Sequence, residues 1–559
     1  FHDPANAWND GVAMTIDRRL LLKTATFGIG ALAMPGGALA AMQASLGLGF
    51  THGVASGEPG PDSVLLWTRY VSTAPESKLD VEIWEGSDTA RRVSGGQTIA
   101  APIRDHTAKI VVSGLKPGTT YNYQFIGPDG TKSPVGRTRT LPVGKVKRFR
   151  MAVFSCSNLP FGWFNAYAHA TNPHALDDFD LVLHLGDYLY EYHRGNYPSA
   201  KEAVAGRMIE PGHEMVALAD YRLRYASYRA DPDLQMLHQL YPMVAMWDDH
   251  EFANDAYADG AQNHQPSEGD WADRKRTAER AYREWMPVRD RSDDIWWSSY
   301  RIGNLAEIQM TESRVSARSK QASFGQPTGD ESEIKRQLQA FATGTLFDKD
   351  RTMLGAAQEQ WLAERFRSNS TRWNIWAQQT IVGSLVQPQG MENWLSADTQ
   401  PFIRERVMRG ALAARAGIPS NMDAWDGYPV ARAKALSAAQ AGKADLIVLT
   451  GDTHNGWAFD LVHEGKAAGV EFAGQSVTSP GLESTFTGAA GDSIAKALVA
   501  ANPGLAWADS RNRGYMAVEL TPEKAVSEWR FSESISKRSS LLSGSARLET
   551  RHGTRKLSR

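Results

Sequence analysis

Residues 181–191 read LVLHLGDYLYE, and this stretch decides the fold. The mostly apolar run from Leu181 to Leu185 predicts a strand that is buried on both faces, as strands of parallel α/β sheets are. A glycine ends the run, and Asp187 and Tyr190 follow it closely. In open α/β sheets, ligands bind at the carboxyl ends of the strands. The stretch therefore predicts an α/β domain whose site includes Asp187 and Tyr190.

Three other apolar runs, residues 149–154, 243–246 and 445–450, end in the same way. The polar clusters that follow them are Ser155-Cys156-Ser157-Asn158, Trp247-Asp248-Asp249-His250-Glu251 and Gly451-Asp452-Thr453-His454-Asn455. A single aspartate after a strand is often only a helix cap. Four strand ends that carry carboxylate, imidazole, thiol or phenol groups favour one shared site.

The residue types at these strand ends suit a centre with more than one metal ion. Aspartate oxygens bind hard cations, whereas histidine nitrogen, tyrosine phenolate and cysteine thiolate select a transition metal such as iron. Cys156 is the single cysteine, which excludes an intrachain disulfide, and its alternative role is a buried small apolar side chain. Paired cations activate water and neutralise phosphoryl oxygens, so the set predicts phosphoester hydrolysis.

The whole chain has 559 residues, 42% of them hydrophobic, and a formal net charge of -2. This balance gives no electrostatic reason for nucleic acid as a required partner, and the hydrophobic content predicts packed globular domains. Short alternating strands between residues 50 and 142 predict a small all-β sandwich of the fibronectin or immunoglobulin type. The α/β domain follows over residues 148–530, with scaffold helices predicted at 220–229, 273–285 and 356–367.

Both ends of the chain carry basic patterns. Arg18 and Arg19 precede a mildly apolar, glycine-broken stretch that resembles a twin-arginine export signal. Residues 1–40 are therefore predicted to be removed once the twin-arginine machinery has carried the folded protein to the periplasm or outside the cell, with no transmembrane anchor. The alternative is a surface basic pair before a buried helix.

Residues 531–559 contain seven basic and two acidic residues, which predicts either a basic tail that attracts anions or a lid over the site.

The order of the motifs also resembles a known family. The series Cys156, Gly186-Asp187-x-x-Tyr190, Asp249-His250-Glu251 and Gly451-Asp452-x-His454 is similar to the metallophosphoesterase motifs. A more specific resemblance is to PhoD-type alkaline phosphatases and phosphodiesterases. It is carried by Phe154-Ser155-Cys156-Ser157, Trp247-Asp248-Asp249-His250-Glu251 and Gly451-Asp452-Thr453-His454, and by residues 52–59, 66–69 and 425–429. The resemblance spans about residues 50 to 530 and implies a four-layer α/β/β/α domain behind a β-sandwich.

The resemblance also implies which residues hold the metals. Ferric iron would be held by Cys156, Asp187, Tyr190 and His454, and Ca2+ or another divalent cation by Asp187 as a bridge, Asp249 and Asp452. By its motif position, His250 would touch the phosphate or the leaving-group oxygen, or orient another group that does. The oxygen-rich segment around it adds Asp248 and Asn254 as further candidate ligands. Arg314 is a candidate for phosphate binding, although residues 310–314 stand where the family tends to show Leu-Asp-Thr-Arg.

The predicted activity is hydrolysis of phosphomonoesters, phosphodiesters or both, through a hydroxide between two metals. The enzyme would be an exported monomer, with Asp187 and His250 as catalytic residues and a small phosphoester as substrate. Two alternatives are a phospholipase D-like phosphodiesterase acting on lipid headgroups and a non-catalytic protein that binds metal or phosphate. A zinc amidase or lactonase would be expected to show a histidine-dominated site, whereas this series is mainly carboxylate.

Overall fold

The computed structural model describes residues 47–86, 91–172, 178–291, 295–419, 421–442 and 445–558. The predicted export signal, residues 1–40, lies outside this set. Within the described residues, no helix is both long enough and apolar enough to cross a membrane.

Among the described residues, strands β1 to β8 follow one another without an α-helix, and strands and helices are mixed after β8. The strands are β1 (Gly49–Gly57), β2 (Ser63–Val71), β3 (Ser77–Glu85), β4 (Arg92–Ala100), β5 (Thr107–Ser113), β6 (Thr120–Ile126), β7 (Gly136–Arg139), β8 (Phe149–Phe154), β9 (Leu181–His184), β10 (Pro242–Ala245), β11 (Ser298–Ile302), β12 (Ala306–Met310), β13 (Trp373–Ala377), β14 (Asp445–Thr450), β15 (Gly456–His463), β16 (Lys466–Ala473), β17 (Leu505–Asp509), β18 (Gly514–Leu520), β19 (Lys524–Ser532), β20 (Leu542–Arg551) and β21 (Leu557–Ser558). The helices are α1 (Asn165–Ala170), α2 (Leu218–Arg229), α3 (Pro232–Leu240), α4 (Trp271–Trp285), α5 (Glu331–Thr343), α6 (Ala356–Ser368), α7 (Pro401–Arg415), α8 (Pro429–Ala441), α9 (Leu482–Thr485) and α10 (Ser493–Ala501).

The first large sheet has ten strands in the order β21-β20-β19-β18-β8-β9-β10-β1-β2-β5. Its centre is parallel: Val153 of β8 lies opposite Leu183 of β9, and Val182 lies opposite Met243 of β10. Strand β8 has the bounds that the sequence predicts. Because parallel neighbours end at the same edge, these three strands deliver their polar loops to one place.

The second large sheet has seven strands in the order β11-β12-β13-β14-β16-β15-β17. Ile447 and Leu449 of β14 pack into a core shared with the first sheet, whereas Leu446 and Val448 pack with α6 and α8 in a second core. Successive side chains of a strand point to opposite faces. Strand β14 is therefore covered on both sides: the first sheet faces it on one side and helices cover it on the other.

The N-terminal β region is joined to the first sheet, which differs from the separate sandwich that the sequence predicts. Strand β1 pairs in parallel with β10, through Ser56 opposite Pro242 and Gly57 opposite Met243. A four-stranded sheet, β4-β3-β6-β7, packs over β1, β2 and β5 through buried side chains such as Leu79. Residues 50–142 therefore form two packed β layers, and one layer continues into the α/β domain.

The C-terminal segment is a pair of edge strands, in contrast to the basic tail or lid expected over residues 531–559. Strand β20 pairs along the length of β19, and β21 pairs with β20. The connecting residues 533–541 lie against the loop after β8: the Trp163 N–H donates to the Ile535 carbonyl at 2.7 Å, and the Asn165 amide donates to the Ser534 carbonyl at 2.6 Å. The open edge of β19 needs hydrogen-bond partners, and β20 supplies them.

Candidate metal centre

The loops after β8, β9, β10 and β14 bring an acidic cluster together. Its ligand atoms form three groups in which all atoms lie within 4.8 Å of one another, namely Cys156 with Asp187 and His454, Asp187 with Asp249 and His250, and Asp248 with Asp249 and Asp452. Asp187 belongs to two of these groups, and so does Asp249. A carboxylate that belongs to two groups has the position of a ligand that could bridge two metal ions.

Four candidate ligands have a left-handed backbone. The φ angles are 58° at Cys156, 51° at Asp187, 62° at Asp452 and 64° at His454. Side chains with a Cβ avoid this region at a cost of about 1–2 kcal/mol per residue. Strain of this kind persists where the surrounding structure enforces it, and it concentrates at functional sites.

The Glu251 carboxylate ties the loops after β9 and β10 together. It accepts hydrogen bonds from the backbone N–H groups of Asp187 at 3.1 Å, Tyr188 at 2.6 Å and Asp248 at 2.8 Å. Burial and the charge of Asp187 raise the pKa of Glu251 to about 8. Gly186 allows this close approach, because a Cβ there would lie 2.3 Å from the Asp248 Cβ and its φ is 100°.

Tyr190 lies between two other candidate iron ligands. Its hydroxyl donates to Asp187 Oδ2 at 3.1 Å, lies 3.2 Å from His454 Nε2 and accepts from the Ser479 hydroxyl at 2.7 Å. His454 Nδ1 lies 2.8 Å from the Pro480 carbonyl, so Nδ1 carries the proton and Nε2 keeps a lone pair for a ligand. Burial and the charge of Asp187 raise the pKa values of Tyr190 and Cys156 well above their ordinary values. Each therefore becomes an anionic donor only beside a cation.

The carboxylates of the cluster carry more negative charge than the described residues compensate. Asp187 Oδ1, Asp248 Oδ2 and Asp249 Oδ1 are buried and have no hydrogen-bond donor among those residues. Burial raises the pKa values of Asp248 and Asp452 well above their ordinary values, against the charge of Arg314, and neighbouring carboxylates add to the rise. A buried oxygen left unsatisfied costs about 1–3 kcal/mol. Unpaired oxygens beside thiol, phenol and imidazole donors fit a pair of metal ions.

His250 is held by a carboxylate from the loop after β9. Its Nδ1 lies 2.7 Å from Glu191 Oε2, and Glu191 Oε1 accepts from the Asn254 N–H and the Asn263 amide, each at 2.8 Å. Burial alone lowers the pKa of His250, but the charges of Glu191, Asp187 and Asp249 raise it well above its ordinary value. His250 can therefore hold a proton at the edge of the cluster.

Arg314 lies among carboxylates, in contrast to the phosphate contact considered from the sequence. Its Nε donates to Asp248, its Nη2 donates to Asp452 at 2.8 Å, and its Nη1 donates to Asp423 at 2.6 Å. Nη2 also lies 3.5 Å from Asp249 Oδ1. The side chain has 0% exposure, so the guanidinium is enclosed by the protein, and each of its three nitrogens donates to a carboxylate.

Asn254, a candidate metal ligand from the sequence, also supports the Glu191 side chain. Its side-chain amide donates to Gln262 at 2.9 Å, and its backbone N–H is one of the donors to Glu191. The ring centroid of Tyr192 lies 5.4 Å from that of His250, which places an aromatic side chain at the site.

Several site residues have no role in the sequence-based prediction. Glu191 and Glu251 stand within the quoted strand-end clusters, so their position is a usable signal, but their hydrogen bonds depend on the folded loops. Ser479 and Asp423 lie in other loops and belong to no ligand motif. Only the folded chain brings Ser479 to Tyr190 and Asp423 to Arg314.

Comparison with known proteins gives matches over nearly the whole chain. The family model described as PhoD-like phosphatase matches residues 151–529, and the model of the PhoD-like phosphatase N-terminal domain matches residues 37–142. Alkaline phosphatase D of Bacillus subtilis (strain 168) is 31% identical over 504 residues, which are 86% of this chain and 77% of the relative. A solved structure of PhoD matches with a TM-score of 0.74 and 28% identity, covering 91% of this chain and 92% of its own.

A more distant solved structure shares the fold alone. A purple acid phosphatase from yellow lupin (Lupinus luteus) seeds matches with a TM-score of 0.51 and 14% identity, over 89% of this chain and 74% of its own.

Proposed function

Because this chain belongs to the PhoD-like phosphatase family and is a phosphoester hydrolase, we propose that it cleaves small phosphoesters at the candidate metal centre. One observation carries the proposal: Asp187 lies within 4.8 Å of a thiol and imidazole donor pair on one side and of Asp249 and His250 on the other. Its Oδ1 atom is buried and lacks a donor within the described chain. The packed sheets, with α6 and α8 outside the second, support the four-layer α/β/β/α description of the domain.

The cluster offers ligands for two cations. Cys156, Asp187, Tyr190 and His454 would hold ferric iron, and Asp187, Asp249 and Asp452 would hold calcium or another divalent cation. The thiol and phenol favour a transition metal, whereas a set of carboxylates favours a hard cation. When bound, such a pair lowers the pKa of water and neutralises charge on the phosphoryl oxygens. Asp248 lies at the margin of the second set, with one unpaired oxygen.

His250 is the proposed proton donor. Glu191 holds one edge of the His250 imidazole through a hydrogen bond with Nδ1 at 2.7 Å. The Tyr190 ring packs against the imidazole, with the two ring centroids 4.2 Å apart. With Nδ1 held, the proton on Nε2 passes to the leaving-group oxygen as a water-derived oxygen bonds to phosphorus and the ester P–O bond breaks. The developing negative charge on that oxygen is removed in the same step.

The test compares rates on 4-nitrophenyl phosphate and bis(4-nitrophenyl) phosphate, with metal analysis of the same preparation. Asp187→Asn is expected to lose both metals and to lower kcat/KM by at least about 100-fold, because an amide cannot replace the shared charge. Asp259→Asn, at an exposed position, is the matched control. Retention of both metals and most of the activity in Asp187→Asn would contradict the proposal. The ratio of the two rates decides between monoester and diester preference, and headgroup release from phosphatidylcholine vesicles tests the lipid alternative.

The cellular part of the proposal concerns export. We propose that Arg18 and Arg19 direct the folded, monomeric protein through the twin-arginine machinery to the periplasm or the medium, which the motif order after them supports. Replacement of both by lysine is expected to leave uncleaved protein in the cytoplasm. Unchanged export in fractionated cells would contradict this, and size-exclusion chromatography tests the monomer.

A further inference from the structure

Arg314 is the cation that the fold itself places beside the second metal-ligand set. Its guanidinium reaches Asp248, Asp452 at 2.8 Å and Asp249 at 3.5 Å, and these are three neighbouring carboxylates of one ligand group. The fourth carboxylate, Asp423, lies 2.6 Å from Nη1 and belongs to none of the candidate groups.

The bond from Arg314 holds one oxygen of Asp248 and leaves the other oxygen unpaired. Asp248 uses Oδ1 for the guanidinium, and its Oδ2 is buried without a donor in the described part of the chain. At Asp249, Oδ2 accepts the Asp255 N–H, and Oδ1 makes no hydrogen bond within the described chain but lies 3.5 Å from Arg314 Nη2. An oxygen fixed on one side orients the remaining oxygen, which is how outer partners position metal ligands.

Arg314 is itself held by neighbouring residues, at its backbone and through the carboxylate partner of Nη1. Its backbone N–H donates to Glu312 Oε1 at 2.6 Å, and the same carboxylate accepts the Val315 N–H at 2.9 Å. Asp423 is shared with Arg318, whose Nη2 lies 2.7 Å from Asp423 Oδ1. Both arginine side chains have 0% exposure. A guanidinium held in this way cannot turn toward a phosphate without releasing carboxylates.

We propose that Arg314 is a positioning residue for the second cation, which orients Asp248, Asp249 and Asp452 and is locked by Asp423, and that it does not bind the substrate phosphate. This inference rests on the proposed function, because it assigns a purpose to the second ligand set. The planar fork of arginine reaches several carboxylates at once, which a lysine ammonium on one flexible stem does not.

The experiment measures how much divalent cation the purified, loaded enzyme retains during dialysis against graded chelator, with iron content measured in the same samples. Arg314→Gln is expected to need about 10- to 100-fold more free calcium for half-occupancy, the range typical of lost outer partners. The inhibition constant of inorganic phosphate, measured at saturating calcium, is expected to stay within about twofold of wild type. Arg314→Lys is expected to show the same loss of calcium affinity, although it keeps the charge.

Three results would overturn the inference. They are unchanged calcium retention in Arg314→Gln, full rescue by Arg314→Lys, and, for Arg314→Gln at saturating calcium, a phosphate inhibition constant raised about tenfold. If Arg314→Gln fails to fold by circular dichroism, Asp423→Asn decides, because it frees Nη1 while leaving every candidate ligand in place. That variant is expected to lose calcium affinity in the same direction, and wild-type retention would refute the lock. A wild-type enzyme that holds iron but no divalent cation would instead refute the proposed two-cation function.

Discussion

Replacing Glu191 by glutamine tests the proposed proton donor with a single change of charge. The Glu191 carboxylate is fully buried and accepts from His250, Asn254 and Asn263. If the glutamine oxygen takes the place of Oε1, it still accepts from Asn254 and Asn263, but its NH2 then faces His250 Nδ1. In the opposite orientation the NH2 faces both asparagine donors. A hydrogen bond to a charged group contributes about 1.5–3 kcal/mol. If this is lost from the transition state, kcat falls by about 10- to 100-fold.

The pH profile separates this role from a merely structural one. Burial lowers the pKa of His250, and the charge of Glu191 is the first of the carboxylate charges that raise it. Without that charge the pKa of His250 falls, so a reaction that needs protonated His250 fails at a lower pH. The alkaline limb of kcat, measured on 4-nitrophenyl phosphate with metals at saturation, is therefore expected to move to lower pH in Glu191→Gln.

Asn263→Ala is the matched control, because it removes a donor to Glu191 and keeps the carboxylate charge. Its alkaline limb is expected to stay close to that of wild type. A Glu191→Gln enzyme with wild-type kcat and an unmoved alkaline limb would refute the assignment of His250 as a proton donor oriented by Glu191.

Three other changes give separate tests. Cys156→Ser is expected to lower iron content and activity together while circular dichroism stays native, because a neutral hydroxyl is a far poorer ferric ligand than a thiolate; full iron occupancy would exclude the thiolate. Burial raises the pKa of Glu471 from 4.5 to about 7. The protonated side chain therefore adds about 3 kcal/mol to the free energy of unfolding below about pH 4.5, and this contribution is lost as the pH rises to 7. Chemical denaturation of Glu471→Gln between pH 5 and 8 should lack this loss, and equal slopes for variant and wild type would contradict it. Deletion of residues 534–559 is expected to lower the melting temperature, because it uncovers the edge of β19 and removes the carbonyl partners of Asn165; faster diester cleavage at unchanged stability would instead favour a lid.

The sequence predicts the strands that lead to the site because their signal is local and strong. The run at residues 445–450 is apolar from Leu446 to Leu449 and forms β14 with those bounds. Strands buried on both faces need such runs, and parallel neighbours end at one edge. Cys156 and Asp187 meet because β8 and β9 are parallel neighbours in the first sheet. His454 follows β14 of the second sheet, and it joins them only because the two sheets pack against each other.

The C-terminal strands could not be predicted in the same way. Residues 542–551 mix serine, arginine and glycine with few apolar side chains, and most of β20 stays partly or fully exposed. A strand with one solvent-exposed face and few apolar side chains is stabilised mainly by its backbone hydrogen bonds to the neighbouring strand. For β20 that neighbour is β19. The role of Arg314 is equally non-local, since Asp423 and Asp452 reach it from distant parts of the chain.

The ten-stranded sheet also sets the order in which the chain can fold. Strand β8 lies between β9, which follows it closely, and β18, and the Arg148 and Glu519 side chains that pair beside this contact are 371 residues apart in the chain. During synthesis, β8 and β9 therefore leave the ribosome long before the strand that covers the free edge of β8. Closing so long a loop is slow, and an uncovered strand edge invites pairing with other chains in the meantime. A chain interrupted anywhere before β18 keeps that edge open and is expected to aggregate, so no shortened chain of this kind can serve as a partial enzyme.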